Sequence, residues 1–161
     1  MSDARLVGSE LEGAKLVGAV MSGVRLDRAV LNEADLTGAI LNQARVYQGE
    51  LSDANLSGAN LSQANLAQSD LTYALLPGAN LREAVLSRAS LEGADLRGAD
   101  LRGAKLDNAN LLGADLTGAD LREADLHGSR IDNADFTDAE LGSAIWTNRR
   151  RCRPGSVGEC R

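Results

Sequence analysis

Every residue whose number ends in 1 or 6, from Leu6 to Leu141, belongs to one five-residue beat that never slips. Of these 28 positions 24 are Leu, and the others are Met21, Val46, Ile131 and Phe136. Two places earlier, from Ala4 to Ala139, 23 of 28 residues are Ala; the exceptions are Ser9, Val24, Gly49, Ser69 and Ser129. An α-helix turns about 100° per residue, so a five-residue step carries each Leu about 140° round the axis and no apolar stripe forms. A flat strand alternates its faces, so an odd step would bury one Leu and expose the next. A chain that turns a corner every five residues buries them all. Each side points one Leu and one Ala inward, and four sides close one coil.

Composition fits a repeated layer better than a sphere. Leu and Ala supply most of the apolar residues and aromatics are 2% of the chain, whereas a roughly spherical core mixes sizes to pack. The length of 161 residues suggests one domain. No apolar run approaches the ~18 residues of a membrane span. Met1-Ser2-Asp3 lacks the basic and apolar regions of a signal peptide. The formal charge of −6 is split. Residues 1–148 hold 12 Lys and Arg against 22 Asp and Glu, net −10, and residues 149–161 hold five Arg and one Glu, net +4.

Clean copies of the repeat are Ala54-Asn55-Leu56-Ser57-Gly58, Ala59-Asn60-Leu61-Ser62-Gln63, Ala94-Asp95-Leu96-Arg97-Gly98 and Ala119-Asp120-Leu121-Arg122-Glu123. The pattern resembles the pentapeptide-repeat family, Ala-Asp/Asn-Leu-X-X, over about residues 4–145. The resemblance implies an all-β fold, the right-handed quadrilateral parallel β-helix. Twenty-eight repeats make seven coils, a rod roughly 34 Å long at strand spacing. Gly occupies many corners, among them Gly58, Gly78, Gly93, Gly98, Gly103, Gly113 and Gly118. Gln63, Gln68, Tyr73 and Glu83 stand at equivalent corners, so the corner is not expected to demand positive φ every time.

Residues 20 apart stack on one face, and the sequence can be read in columns. One face runs Val20, Ile40, Asn60, Asn80, Asp100, Asp120, Glu140, beside Ser22, Asn42, Ser62, Arg82, Arg102, Arg122, Gly142. An acidic ladder (Asp100, Asp120, Glu140) therefore lies against an arginine ladder (Arg82, Arg102, Arg122). Such pairs either neutralise one another on a solvated surface, at ~0–1 kcal/mol each, or form a zwitterionic docking strip. The preceding face carries Lys15, Asp35, Asn55, Leu75, Asp95, Asp115, Asp135. Stacked carboxylates attract cations, but Asp95 has Arg97 beside it and no loop gathers the six oxygens calcium takes, so no metal site is expected. Another face begins Arg5, Arg25, Arg45, a second basic ladder that Asp27 interrupts only in part. Val17, Val20 and Ile40 gather round one corner near the start and form a candidate interaction patch, with scattered surface valine as the alternative. Four of the five departures from inward Ala, Ser9, Gly49, Ser69 and Ser129, share one column, either to relieve crowding along that wall or by chance.

The ends differ. The division expected is a β-helix over 1–145 and a cap over 146–161. Trp146, the only Trp, would cover the last Leu layer, and Arg149, Arg150 and Arg151 lead to Cys152 and Cys160, the only two Cys. These two are read as a disulfide closing the cap, which resembles the C-terminal bracket of some cyanobacterial members of the family. Oxidation would favour a periplasmic or thylakoid-lumenal setting; the missing leader favours the cytoplasm, and both stay open. The arginine cluster is read as a solvated, cap-associated tail rather than a phosphate site. At the other end Ala4 and Leu6 already keep the beat. That edge is expected to fray, to be covered by another chain (a second copy included), or to mark a truncation.

No catalytic constellation is visible. The single His, His127, sits in an outward column, and no base is placed to activate the many Ser. The chain therefore reads as a non-enzymatic scaffold that presents charged ladders to a protein partner, with no cofactor. Membrane insertion and direct nucleic-acid binding are not expected. The alternative comes from family members linked to quinolone resistance, which resemble a DNA duplex and engage DNA gyrase. The −10 body agrees in sign; two arginine ladders, the near-absence of central Phe and the unbroken beat do not.

Overall fold

The computed structural model describes residues 2–161. Twenty-five parallel β-bridges join residues 20 apart, in steps of five, from Arg5↔Arg25 to Asp125↔Ile145. This is a four-sided stack of seven coils, in which each side contributes one bridge residue, one inward Leu, a two-residue turn and one inward Ala.

One repeat shows why the consensus reads as it does. Asp95 N–H donates to Ala74 O in the preceding coil (3.0 Å), and Leu96 N–H to Asp115 O in the next (2.7 Å). Gly98 N–H donates to Thr117 O (2.9 Å), and Ala99 N–H closes the turn on Leu96 O (3.0 Å). The fifth N–H, on Arg97, has no backbone acceptor; Asp95 Oδ1 takes it at 3.1 Å. Every backbone donor of the repeat is thus matched, as a buried chain requires. The Asp or Asn before Leu is the side chain whose length reaches the N–H two residues on. Asn55 does this for Ser57, Asp100 for Arg102 and Asp115 for Thr117. Leu75 cannot, and the residue two places after it is Pro77, which has no N–H to satisfy.

The corners correct one expectation. All 29 corner residues from Asp3 to Ser143 have φ between 55° and 70°, and 16 of them are not Gly. Gln63, Gln68, Tyr73 and Glu83 lie at 57°, 59°, 57° and 56°. The turn from Leu to Ala needs its third residue left-handed, as in a type II turn. A non-glycine residue there costs roughly 1–2 kcal/mol. The stack enforces it all the same, because the corner N–H also bonds the next coil, as Gln63 does to Arg82 O at 2.8 Å.

Inside, Leu and Ala from the second coil onward are almost entirely buried, with Ala134 the exception; Leu61 and Leu81 are 1% and 0% exposed. Burying a Leu contributes ~1.5–3 kcal/mol before chain entropy is subtracted. The odd column has a partial explanation in crowding. An Ala methyl at Gly49 would stand 2.7 Å from Val46 Cγ1, so the branched residue and the missing methyl go together. Ser9 and Ser69 bond the carbonyls of their own turns, Leu6 O at 2.8 Å and Leu66 O at 2.6 Å. Ser129 reaches Leu106 O at 2.6 Å.

The first coil leaves Leu6, Leu11 and Leu16 partly exposed against the stack. Over the last coil, residues 150–158 turn back. Glu140 pairs with Val157 and Ile145 with Arg151, both antiparallel. Leu141 N–H donates to Ser156 O (2.8 Å), and Ser143 N–H to Cys152 O (3.1 Å), replacing acceptors a further coil would supply.

Candidate functional site

The stack fixes where outward side chains stand, so the ladders are geometric consequences of the bridges. On the face bearing Asp100 and Asp120, Arg102 and Arg122 are each held by the carboxylate two residues earlier, whereas Arg82 follows Asn80. Arg102 Nε and Nη2 donate to the two oxygens of Asp100 at 2.8 and 2.5 Å, and Arg122 holds Asp120 at 2.9 and 2.5 Å. Each also reaches the next rung: Arg102 to Asp120 at 3.3 Å and Arg122 to Glu140 at 3.1 Å. Arg82 comes within 4.0 Å of Asp100. Arg82, Arg102, Arg122, Asp100, Asp120 and Glu140 therefore form one continuous chain of ion pairs. On the preceding face Arg97 forks onto Asp95 and lies 3.7 Å from Asp115.

The electrostatics follow. The hydrogen bond from Arg102 holds the Asp100 carboxyl below the usual carboxylate value, and the one from Arg97 does the same for Asp95. Burial alone would raise Asp120, but its bonds with Arg122 outweigh that and lower it. Arg122 is raised by its bond to Asp120. Asp35 and Asp135 are lowered by the hydroxyls and N–H groups of Thr37 and Thr137.

The basic ladder at the other end is built differently. Arg25 and Arg45 face one carboxylate, Asp27, at 3.5 and 3.4 Å. Asp27 is buried, which its outward column did not suggest, and its Oδ1 has no hydrogen-bond partner. Val7 and Tyr47 are its neighbours in the same column, one coil to either side. Size alternation down one column was the signal that could have found it.

Val17, Val20 and Ile40 are 61%, 51% and 37% exposed, and Val20 and Ile40 are bridged rungs of one ladder. Trp146 meets Phe136 edge-to-face, with ring centroids 5.3 Å apart, and packs against the core. The sulfurs of Cys152 and Cys160 are 2.06 Å apart, at bonding distance. The arginines of the tail are engaged locally: Arg149 Nε donates to His127 Nε2 (2.7 Å), Arg150 to the Cys160 carbonyl, and Arg151 to Ser143 O (3.2 Å). A groove lined by Arg82, Glu83, Arg102, Gly103, Arg122 and Glu123 runs beside the paired ladder. Tyr73, read in the sequence only as a corner residue, lays its ring over Gly93 of the next coil, where a β-carbon would collide. Among the described residues no group of three or more His, Cys, Asp or Glu is placed to hold a metal. No helix among them is long and apolar enough to cross a membrane.

Comparison with known proteins points one way. The family description "Pentapeptide repeats (8 copies)" matches residues 4–43, 50–87, 70–103 and 99–138. Among solved structures, HetL, a pentapeptide repeat protein involved in heterocyst differentiation regulation from the cyanobacterium Nostoc sp. strain PCC 7120, is 32% identical. The alignment covers 94% of this chain and 88% of HetL, with a TM-score of 0.46. The pentapeptide repeat protein alr5209 from Nostoc PCC 7120 is 42% identical over 53% of this chain and 69% of its own, TM-score 0.50. QnrB1, a plasmid-mediated fluoroquinolone resistance protein, is 19% identical over 90% of this chain and 78% of its own, TM-score 0.54. No curated protein sequence matches.

Proposed function

The chain belongs to the pentapeptide-repeat family and has its right-handed quadrilateral β-helix, and from that premise we propose that it is a non-enzymatic scaffold presenting side-chain ladders to a protein partner. The observation that carries this reading is the uninterrupted stack of 25 parallel bridges, which holds charged and apolar side chains at a fixed repeat along each face. Rigid presentation lowers the ordering cost of binding. In this reading residues 1–145 are the display body. Residues 146–161, with Trp146 and the Cys152–Cys160 pair, close its C-terminal edge. The patch of Val17, Val20 and Ile40 supplies an apolar contact, open to a protein partner or to a second copy at the N-terminal end.

DNA mimicry finds less support. Asp95, Asp100 and Asp120 are each bonded to an arginine, so three of the stacked carboxylates on these two faces are paired rather than free. The test is affinity capture from the source organism under oxidising and reducing conditions, followed by reconstitution with the purified partner. Wild type is expected to bind it and Val17→Asp/Ile40→Asp to lose it. A reconstituted complex indifferent to that change removes the patch. Inhibition of gyrase supercoiling by micromolar protein would replace the scaffold reading with mimicry.

A further inference from the structure

Two groups of arginines on the rod differ in what their guanidinium groups already bond. Arg97, Arg102 and Arg122 each spend two donors on one carboxylate. Among the described residues Arg5, Arg25, Arg28 and Arg45 make no side-chain hydrogen bond; Arg25 and Arg45 have only the long approaches to Asp27. That carboxylate is 9% exposed while the two arginine side chains are 44% and 52% exposed. One buried anion therefore lies beside a stripe of accessible cations whose donors are largely unspent. Val7, 40% exposed, and the half-buried Tyr47 flank Asp27 in the adjoining column. Arg and Tyr beside an apolar contact are the residue types that anchor protein interfaces.

We propose that the strip of Arg5, Arg25 and Arg45, with Val7 and Tyr47, docks a short acidic segment of a protein partner that carries two or three carboxylates and an apolar side chain. The length of the strip sets the class of partner. Its three rungs span about 10 Å at strand spacing, and carboxylates on one side of an extended peptide recur about every 6.7 Å, so two fit within it and a third falls just past the last rung, within the reach of a long arginine side chain. Beyond Arg45 the column continues with Asn65 and Val85, and the adjoining face carries Glu10, Glu12 and Glu50. A long polyanion such as DNA or an anionic bilayer would overrun the strip onto a chain of net charge −6.

The inference rests on the scaffold reading and names the chemistry of its partner. The probe is fluorescein-labelled hexaglutamate, followed by anisotropy at about 50 and about 300 mM salt. Binding is expected at the lower salt, weakened about tenfold by Arg5→Gln/Arg45→Gln and less than about twofold by the control Arg102→Gln/Arg122→Gln. Asp27→Asn, which removes the one carboxylate of the strip, is expected to tighten binding severalfold, a gain that a misfolded variant would not give. No binding at low salt, equal losses in the two double variants, or tighter binding of a twelve-nucleotide single-stranded DNA would each overturn the proposal. A partner captured and reconstituted while hexaglutamate fails removes this strip and leaves the scaffold standing. Hexaglutamate bound with no partner captured removes the scaffold reading alone.

Discussion

The arginine ladder at the start of the rod and the one at its end stand on the same frame and behave as different surfaces. Both rise one coil per rung on parallel bridges. In the later ladder, Asp100, Asp120 and Glu140 sit two places before the arginine of their own coil or on the next rung; the guanidinium groups of Arg102 and Arg122 are spent on them, while Arg82 reaches Asp100 only at 4.0 Å. In the earlier one, Arg25 and Arg45 share Asp27 alone. The position of the carboxylate explains the difference. A carboxylate at the bridge position lies within reach of the guanidinium two residues later, and can accept from that residue's N–H as well. Asp27 stands after its Leu, sinks between Val7 and Tyr47, and meets its arginines only at long range. A row of arginines is therefore no measure of basic surface until the anions beneath it have been located.

The contrast can be broken at three depths. The deepest is the shared core. Leu26→Ala behind the early ladder and Leu101→Ala behind the late one are both expected to cost about 3–5 kcal/mol in denaturant unfolding, since Leu26 and Leu101 are 1% and 0% exposed. Costs that differ by more than about 2 kcal/mol would mean that the two frames are not equivalent. Next are the cations. Arg25→Met/Arg45→Met leaves Asp27 buried and unpaired, and about 3 kcal/mol should be lost. Arg102→Met/Arg122→Met leaves carboxylates that water still reaches, and the loss should stay near 1 kcal/mol. Equal losses would show that burial of Asp27 does not set the difference.

The smallest effect is the pH dependence of the late ladder. Asp95, Asp100 and Asp120 titrate below the ordinary 3.8. Their folded values lie below their unfolded ones, so their stabilisation is fully present above the unfolded value and fades as pH falls through the lowered folded values. Wild type and Asp100→Asn/Asp120→Asn should therefore differ in melting temperature at neutral pH and converge in acid below that range. A gap that widened on acidification would contradict the assignment. Carbon-detected titration should also place the Asp100 midpoint under 3.8.

The fold was legible because the beat leaves one way to bury Leu every five residues, and the columns followed from counting by 20. The corners were legible in place but not in conformation. Gln63 and Tyr73 suggested tolerance of ordinary φ, yet they are left-handed, because their N–H groups are committed to Arg82 O and Glu92 O of the next coil and that bond outweighs a local preference. The sequence showed Asp or Asn before Leu as part of the repeat but not its role: only the structure shows that its side chain takes the N–H two residues on, and that Pro77 after Leu75 has no N–H to satisfy.

By itself the sequence determined the period, the inward Leu and Ala, the faces and the order of charges along them, since all of these depend on residue identity and position along one repeating path. The tertiary structure alone decided which charges are spent. It joined Arg102 to Asp100 and Asp120, buried Asp27 between Val7 and Tyr47, and turned residues 150–158 over the last coil. Those outcomes depend on distances across coils and on side-chain size in neighbouring rungs, where a shift of about 1 Å separates a hydrogen bond from a long ion pair.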